Sequence, residues 1–225
     1  MMAQVAASIA HEIKQPLGAI VANGNAASRW LAKKPPDLGE VQECVNRVVM
    51  EGHRSGQVIE SVQAMFRQAP REKSRLDAND LIQEVLAFTA SEIRRHQVAV
   101  QTKLLENLPT LLADHIQLQQ VIRNLIANSL EAMDGITDRA RVLTIKSTAQ
   151  DSKTVLITVE DSGSGIRPEN MRRIFDSYFT TKRHGMGMGL AICRSIIDSH
   201  GGRLSVLQGY PHGTVFQIIL PTGID

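Results

Sequence analysis

Apolar residues recur at helical spacing through the first third of the chain. Val5, Ile9, Ile13, Leu17, Ile20 and Leu31 mark one stripe; Leu38, Val41, Val45, Val48, Ile59, Val62 and Phe66 mark a second. Between them, Lys33-Lys34-Pro35-Pro36-Asp37 predicts a turn. Consecutive prolines cannot continue a helix, and Asp37 is suited to cap the next one. The pattern therefore predicts two helices of about 30 residues joined as a hairpin. A hairpin alone buries little of its apolar stripe. Pairing two of them in a twofold four-helix bundle covers it, so a homodimer through residues 1–68 is expected.

Gln68-Ala69-Pro70-Arg71-Glu72-Lys73-Ser74 is polar and contains proline, which marks residues 69–75 as a linker. Beyond it the periods mix. Asp77 caps a predicted helix through Ile93, and Val98-Ala99-Val100-Gln101 reads as a strand. Asp114-x-x-Gln117 resembles a capping box at the start of a helix reaching Met133. Val142–Ala149 and Thr154–Glu160 alternate like adjacent antiparallel strands, followed by a helix over Gly189–His200 and strands at Arg203–Leu207 and Thr214–Leu220. The expected class is α+β: a helical hairpin in a dimeric four-helix bundle, then a two-layer α/β sandwich over residues 76–225.

Composition removes several alternatives. With 25 basic and 23 acidic residues among 225, the chain has no charge excess that argues for nucleic acid or an anionic membrane. Cys44 and Cys193 stand alone, which suits a reducing compartment and supplies neither a disulfide framework nor a zinc site. No apolar run approaches the ~20 residues that span a bilayer. The apolar Met1–Ala10 stretch lacks a basic start and runs straight into His11, so a signal peptide is not expected. The expectation is a cytoplasmic piece of a longer protein, with any sensory or membrane-spanning part missing upstream.

Four segments carry the candidate chemistry. His11-Glu12-Ile13-Lys14-Gln15-Pro16 places a histidine in mid-helix. Small neighbours Ala7 and Ser8 leave room for an anionic group, and Lys14 and Gln15 lie a turn away on the other side. A neutral imidazole is a competent nucleophile, and a carboxylate such as Glu12 fixes its tautomer by accepting the other ring proton. Pro16 removes a backbone donor and predicts a kink.

Asn124 and Asn128, at i and i+4, project from one helix face. The Asn128 amide oxygen suits magnesium bound to ATP, which needs only one or two protein ligands. Asp161-Ser162-Gly163-Ser164-Gly165 ends a strand, where the carboxylate can accept the exocyclic amine of adenine and the glycines let backbone pass close to the base. Gly185-Met186-Gly187-Met188-Gly189-Leu190 opens a helix, and amides at such a start bind phosphate. Between these two segments, Ile174–Lys182 gathers Phe175, Tyr178 and Phe179 ahead of Thr181 and Lys182, and reads as a lid over ATP. Lys182 or Arg183 would offset charge at the terminal phosphate. Neither a dinucleotide fingerprint nor a P-loop occurs.

Together these segments resemble the two-component sensor histidine kinases. His11–Leu17 is similar to their phosphoacceptor box, Asn124–Ala132 to the N box, Asp161–Ile166 and Gly185–Ile192 to the two glycine boxes, and Phe175–Lys182 to the F box. Gly213–Phe216 with Leu220-Pro221 resembles the closing strand, so the match covers nearly the whole chain. The resemblance implies that residues 1–68 dimerise and carry the phosphoacceptor His11, and that the remainder binds ATP and Mg2+. It implies that His11 passes the phosphoryl group to an aspartate in the receiver domain of a response regulator, with Glu12 as base or orienter. Asn124, Asn128, Asp161, Gly163, Gly165, Thr181, Lys182, Gly185, Gly187, Gly189 and Leu190 would then line the nucleotide, with Asn128 on the metal. Gln15-Pro16-Leu17 looks most like the oxygen- and dicarboxylate-sensing members.

Two positions depart from the pattern. Gln15 stands where members that also dephosphorylate their regulator usually carry Thr or Asn, which leaves phosphatase activity open. Ser177 replaces a common F-box proline. Gyrase-type, mismatch-repair and heat-shock ATPases share the nucleotide fold but use a glutamate one turn before the magnesium asparagine. Here that position is Asn124, which cannot act as a general base. A dimeric scaffold that binds nucleotide without turnover is the remaining alternative, disfavoured by the intact His11, Asn128 and Asp161.

Overall fold

The computed structural model describes residues 2–66, 73–151, 153–181 and 187–223, with side chains from Lys14 onward except 53, 54 and 57–66. The chain forms two compact units, Met1–Ala69 and Pro70–Asp225.

The first unit is a helical hairpin of α1 (Met2–Leu31) and α2 (Leu38–Phe66). Helix α1 continues through Pro16, whose ring is buried. The turn is closed by Asp37 as expected. Its N–H donates to the Trp30 carbonyl at 3.3 Å, and its carboxylate accepts the Glu40 N–H at 3.1 Å. Lys33 Nζ sits 3.6 Å above the Trp30 ring and covers the end of α1. Ala27 and Cys44 are buried within the hairpin, whereas Leu17, Val21, Leu31, Leu38, Val45, Val49 and Met50 are exposed.

The second unit begins with β1 (Ser74–Leu76), which pairs antiparallel with β3 (Leu111–Ala113). The expected linker over 69–75 is therefore too long at its C-terminal end, since Ser74 and Arg75 belong to a strand. Two three-residue strands are too short to leave a period in the sequence.

Helix α3 (Ala78–Arg95) starts at Asp77, whose carboxylate accepts from the N–H groups of Asn79 at 2.7 Å and Asp80 at 3.3 Å. Helix α4 (His115–Met133) starts at Asp114 in the same way, accepting from Ile116 and Gln117. The expected capping box is only half made. The Asp114 N–H goes to Nε2 of the buried His200 at 3.0 Å, so Gln117 makes no return bond to it. His200 Nδ1 donates to the Ile196 carbonyl at 2.8 Å, which fixes a neutral ring and ties α4 to α5 (Gly189–Ser199).

The main sheet has the order β2-β4-β5-β7-β6, comprising β2 (Ala99–Leu104), β4 (Val142–Asp151), β5 (Thr154–Asp161), β6 (Arg203–Gln208) and β7 (Thr214–Pro221). Only β2, at one edge, pairs parallel, with β4. Burial alternates along β5 and β7, so Val155, Ile157, Val159, Phe216, Ile218 and Leu220 form one inward layer. Leu118, Val121, Ile122, Leu125, Ile126 and Met133 of α4 supply the opposing layer. With α5 packed on β6 and α3 on α4, the unit is the expected two-layer sandwich. The topology brings α4, the end of β5 and the start of α5 together.

Replacing Asp77 with alanine leaves two N–H groups at the start of α3 uncapped. A loss of about 1 kcal/mol is expected in denaturant unfolding, with nucleotide affinity unchanged, because α3 contributes none of the candidate site residues.

Candidate functional site

Asn124 and Asn128 share one face of α4, as their spacing requires, and both are partly buried. The Asn124 amide is held from three sides. Its Nδ2 donates to Cys193 Sγ at 3.2 Å, and its Oδ1 accepts from Asn128 Nδ2 at 3.5 Å. The third contact is Gly189, the first residue of α5. A Cβ there would stand 2.8 Å from Asn124 Nδ2, so a larger residue would have to displace the Asn124 amide. Burial pushes the Cys193 thiol up to about 12, so it stays protonated at neutral pH and serves as an acceptor for the amide. Leu190, next along α5, packs against the core.

Asp161 ends β5 and is 3% exposed. Its Oδ1 accepts the Gly163 N–H at 2.8 Å and the Thr214 N–H at 3.2 Å. Burial raises its carboxyl above the ordinary range, while the two N–H bonds oppose that rise. The Ser129 hydroxyl also favours the ionised form, although it is fully buried without a hydrogen bond of ordinary geometry. Glu160 acts in the other direction and is itself paired with Lys146 at 2.7 Å. Gly163 packs directly on α4, where a Cβ would fall 2.6 Å from the Ala132 carbonyl oxygen. Gly165, two residues on, has φ +74°.

The second glycine segment is described from Gly187, at φ +64°, whose carbonyl accepts the Tyr178 N–H at 3.0 Å. Tyr178 is half exposed, whereas Phe175 and Phe179 pack against the core. The Arg173 guanidinium lies 4.6 Å from the Phe179 ring centre. Thr181 is exposed. Lys182, Arg183 and Gly185 lie outside the described residues, as do the side chains of His11 and Glu12. Gln15 is exposed on α1, one turn beyond His11.

The structure brings Gly163 and Gly189 against α4 beside Asn124 and Asn128, with Asp161 joined to Gly163, while Gly165 lies beside Gly213 and Gly187 beside Phe179. A surface cavity of about 310 Å3 lies elsewhere, against Phe175, Arg194 and Arg203, and none of the predicted site residues lines it. Sequence reasoning missed Ser129, Cys193 and the Thr214 N–H. Cys193 looked like an isolated thiol, and a backbone donor leaves no mark on residue type. Gly213-Thr214 was visible only as a strand start.

The Asp161 environment gives a signed pH dependence. A carboxyl raised by burial makes folding less favourable as pH rises from the unfolded value of 3.8 through its folded value. Asp161→Asn keeps an acceptor for both N–H groups without the buried charge. Its unfolding free energy should match the wild type in acid and exceed it at neutral pH, as read by denaturant titration across pH.

Comparison with known proteins assigns a family to this geometry. Residues 1–69 match the His Kinase A (phospho-acceptor) domain, and residues 113–224 match the histidine kinase-, DNA gyrase B- and HSP90-like ATPase domain. Sensor histidine kinase TmoS of Ectopseudomonas mendocina is 32% identical over 98% of this chain and 23% of its own length. Two further relatives are 34% identical over 98% of this chain. They are sensor protein FixL of Bradyrhizobium diazoefficiens (43% of its length) and the C4-dicarboxylate transport sensor protein DctS of Rhodobacter capsulatus (33% of its length). The chain therefore spans less than half of these relatives. Among solved structures, a nucleotide-free catalytic domain of histidine kinase ThkA superposes with a TM-score of 0.60 at 32% identity, covering 68% of this chain and 99% of that one. ThkA in complex with response regulator protein TrrA gives a TM-score of 0.70 at 26% identity, covering 98% and 61%. On these grounds the chain belongs to the sensor histidine kinases.

Proposed function

We propose that this chain is the catalytic core of an ATP-dependent protein-histidine kinase, which phosphorylates His11 and passes the phosphoryl group to an aspartate of a response regulator. One observation carries the choice of transfer over hydrolysis. The position one turn before Asn128 holds an amide, Asn124, fastened to Cys193 and Asn128. An amide cannot take a proton from water, so the site has no general base at the place where a hydrolase needs one. The phosphoryl acceptor then has to be a nucleophile brought from elsewhere, and His11 on α1 fits that need.

The residues present suit the nucleotide. Ser129 Oγ is a buried hydroxyl without a hydrogen bond of ordinary geometry, beside a carboxylate that can accept from an exocyclic amine. Asp161 would read adenine, with Gly163 and Gly165 keeping side chains out of the base's way. Amides from Gly185 to Leu190 would face the phosphates, and Thr181 and Lys182 would close over them. Asn128 would hold Mg2+ through its amide oxygen, and the ion would neutralise phosphate charge. At His11, the neutral imidazole nitrogen forms a bond to the γ-phosphorus as the bond to the bridging oxygen breaks and ADP leaves. Glu12 takes or orients the proton on the other ring nitrogen.

Residues 1–68 would form the dimerisation and phosphotransfer domain. The exposed Leu17, Val21, Val45, Val49 and Met50 support this, because a second hairpin would bury them in a four-helix bundle. Residues 76–225 would be the ATP-binding domain. That ThkA is solved with a response regulator supports the same class of partner here. Gln15, one turn beyond His11, is the residue to test for dephosphorylation of that regulator. A cytoplasmic location is proposed with the activity; among the described residues no helix is long and apolar enough to cross a membrane.

Incubation with γ-labelled ATP separates the readings. Acid-labile label on the protein supports the kinase, free phosphate alone supports an ATPase, and neither supports a scaffold. His11→Gln should abolish labelling and leave ADP affinity within about twofold, since the acceptor makes no ground-state contact with the purine. Asn128→Ala should lose Mg2+-dependent nucleotide binding, measured by calorimetry. Label surviving in His11→Gln would move the acceptor to another residue.

A further inference from the structure

Arg139 lies in the connection from α4 to β4, against the first glycine loop. Its Nε–H donates to the Ser162 carbonyl at 3.0 Å and its Nη2–H donates to the Gly163 carbonyl at 2.9 Å. One edge of the guanidinium therefore grips two consecutive carbonyls, a geometry that a lysine ammonium cannot reproduce. The remaining Nη1 faces both oxygens of Asp138 at 3.0 Å. Asp138 is 71% exposed and Arg139 only 24%. The ion pair is therefore solvent-screened and adds little, while the bonds to the loop are shielded.

The Ser162 carbonyl and the Gly163 N–H belong to one peptide unit. That N–H is the donor to Asp161 Oδ1 at 2.8 Å. The peptide thus stands between a guanidinium on its oxygen and a carboxylate on its hydrogen. Each charge polarises it in the sense that strengthens the other bond, so the two hydrogen bonds reinforce each other. The ends of the loop are held separately. Ser162 N–H donates to the Val142 carbonyl and Ser164 N–H to the Ala132 carbonyl, both at 3.1 Å. Those bonds fix where the loop runs. The Arg139 fork fixes how the Ser162–Gly163 peptide is turned, and the turn decides whether its N–H meets Asp161.

We propose that Arg139 is a positioning residue for adenine recognition, acting through the Ser162–Gly163 peptide to hold the Asp161 carboxylate in place. This rests on the proposed reading of Asp161 as the group that accepts the adenine amine. Arg139 itself touches no nucleotide. Its loss should therefore weaken discrimination for the base and leave the transfer step alone.

The test compares ADP with inosine diphosphate, which lacks the exocyclic amine, by calorimetry on the full 225-residue chain with Mg2+. The proteins are wild type, Asp161→Asn, Arg139→Ala, Arg139→Lys and the Asp161→Asn/Arg139→Ala double variant. Arg139→Ala should weaken ADP about tenfold and inosine diphosphate much less, as for one lost charge-assisted bond. Arg139→Lys should not restore the preference, because it keeps the charge without the fork. The double variant should bind ADP no more weakly than Asp161→Asn alone. In labelling kinetics the effect should fall on KM for ATP, with kcat retained. If Asp161→Asn still prefers ADP, the reading of Asp161 fails. If Asp161→Asn loses the preference while Arg139→Lys or Arg139→Ala keeps it, or if the two effects add in full, Arg139 is only structural and the proposal is overturned. Should Arg139→Ala not fold, Arg139→Lys decides alone.

Discussion

Asp161 puts an ionisable group inside the α/β unit at the end of a central strand, and the neighbouring backbone is arranged to tolerate it. A buried carboxylate is unfavourable unless donors face it. Here the donors are two main-chain N–H groups, from Gly163 just after β5 and from Thr214 at the start of β7. The carboxylate therefore ties the first glycine loop to the strand hydrogen-bonded beside it. Gly213 lies directly against the Asp161 backbone, and Gly163 directly against Ala132 of α4. No residue with a Cβ fits at either contact without displacing main chain. One carboxylate thus joins the Ser162–Gly163 peptide to the start of β7, while the Ser164 N–H bond to Ala132 joins the loop to the end of α4.

The same site is built at its other end from neutral groups. Cys193, Asn124 and Asn128 form a chain in which each amide donates to the next member and no member ionises at neutral pH. Gly189 closes it by letting α5 rest on the Asn124 amide. Under the proposed reading, the charged, backbone-solvated end would take an amine-bearing base and the neutral, amide-lined end the phosphates. Further carboxylates at the phosphate end would repel it.

Much of this was legible in the sequence because it rests on periodicity and caps. The hairpin, α3, α4, α5 and the four long antiparallel strands follow from apolar spacing, with Asp37, Asp77 and Asp114 marking starts. The carboxylate, the asparagine pair and the glycines were legible as chemistry, since few structural needs call for those residue types in that order. What escaped depends on partners distant in sequence. The β1–β3 pair is two three-residue strands with no room for a pattern. The Asp114 box is only half made because His200, 86 positions away, takes the backbone donor that a full box would give to Gln117. Cys193 acts as an acceptor only because folding places it against Asn124. Arg139 looks like one more surface cation until its fork meets two carbonyls.

The two units divide the labour according to what each can hold rigid. A helical hairpin with exposed apolar residues has a second copy as its natural complement. Fixing a purine and three phosphates needs donors placed to a few tenths of an ångström, which a sheet backed by three helices supplies and a hairpin does not. Under the proposed reading, the acceptor and the donor therefore belong to separate bodies because they need different mechanical properties. With Asn124 unable to activate water, nucleotide held by the α/β unit is spared from hydrolysis by that residue until an imidazole arrives. The amide at position 124 thus matters as much for the reaction it withholds as for the ligand it helps to seat.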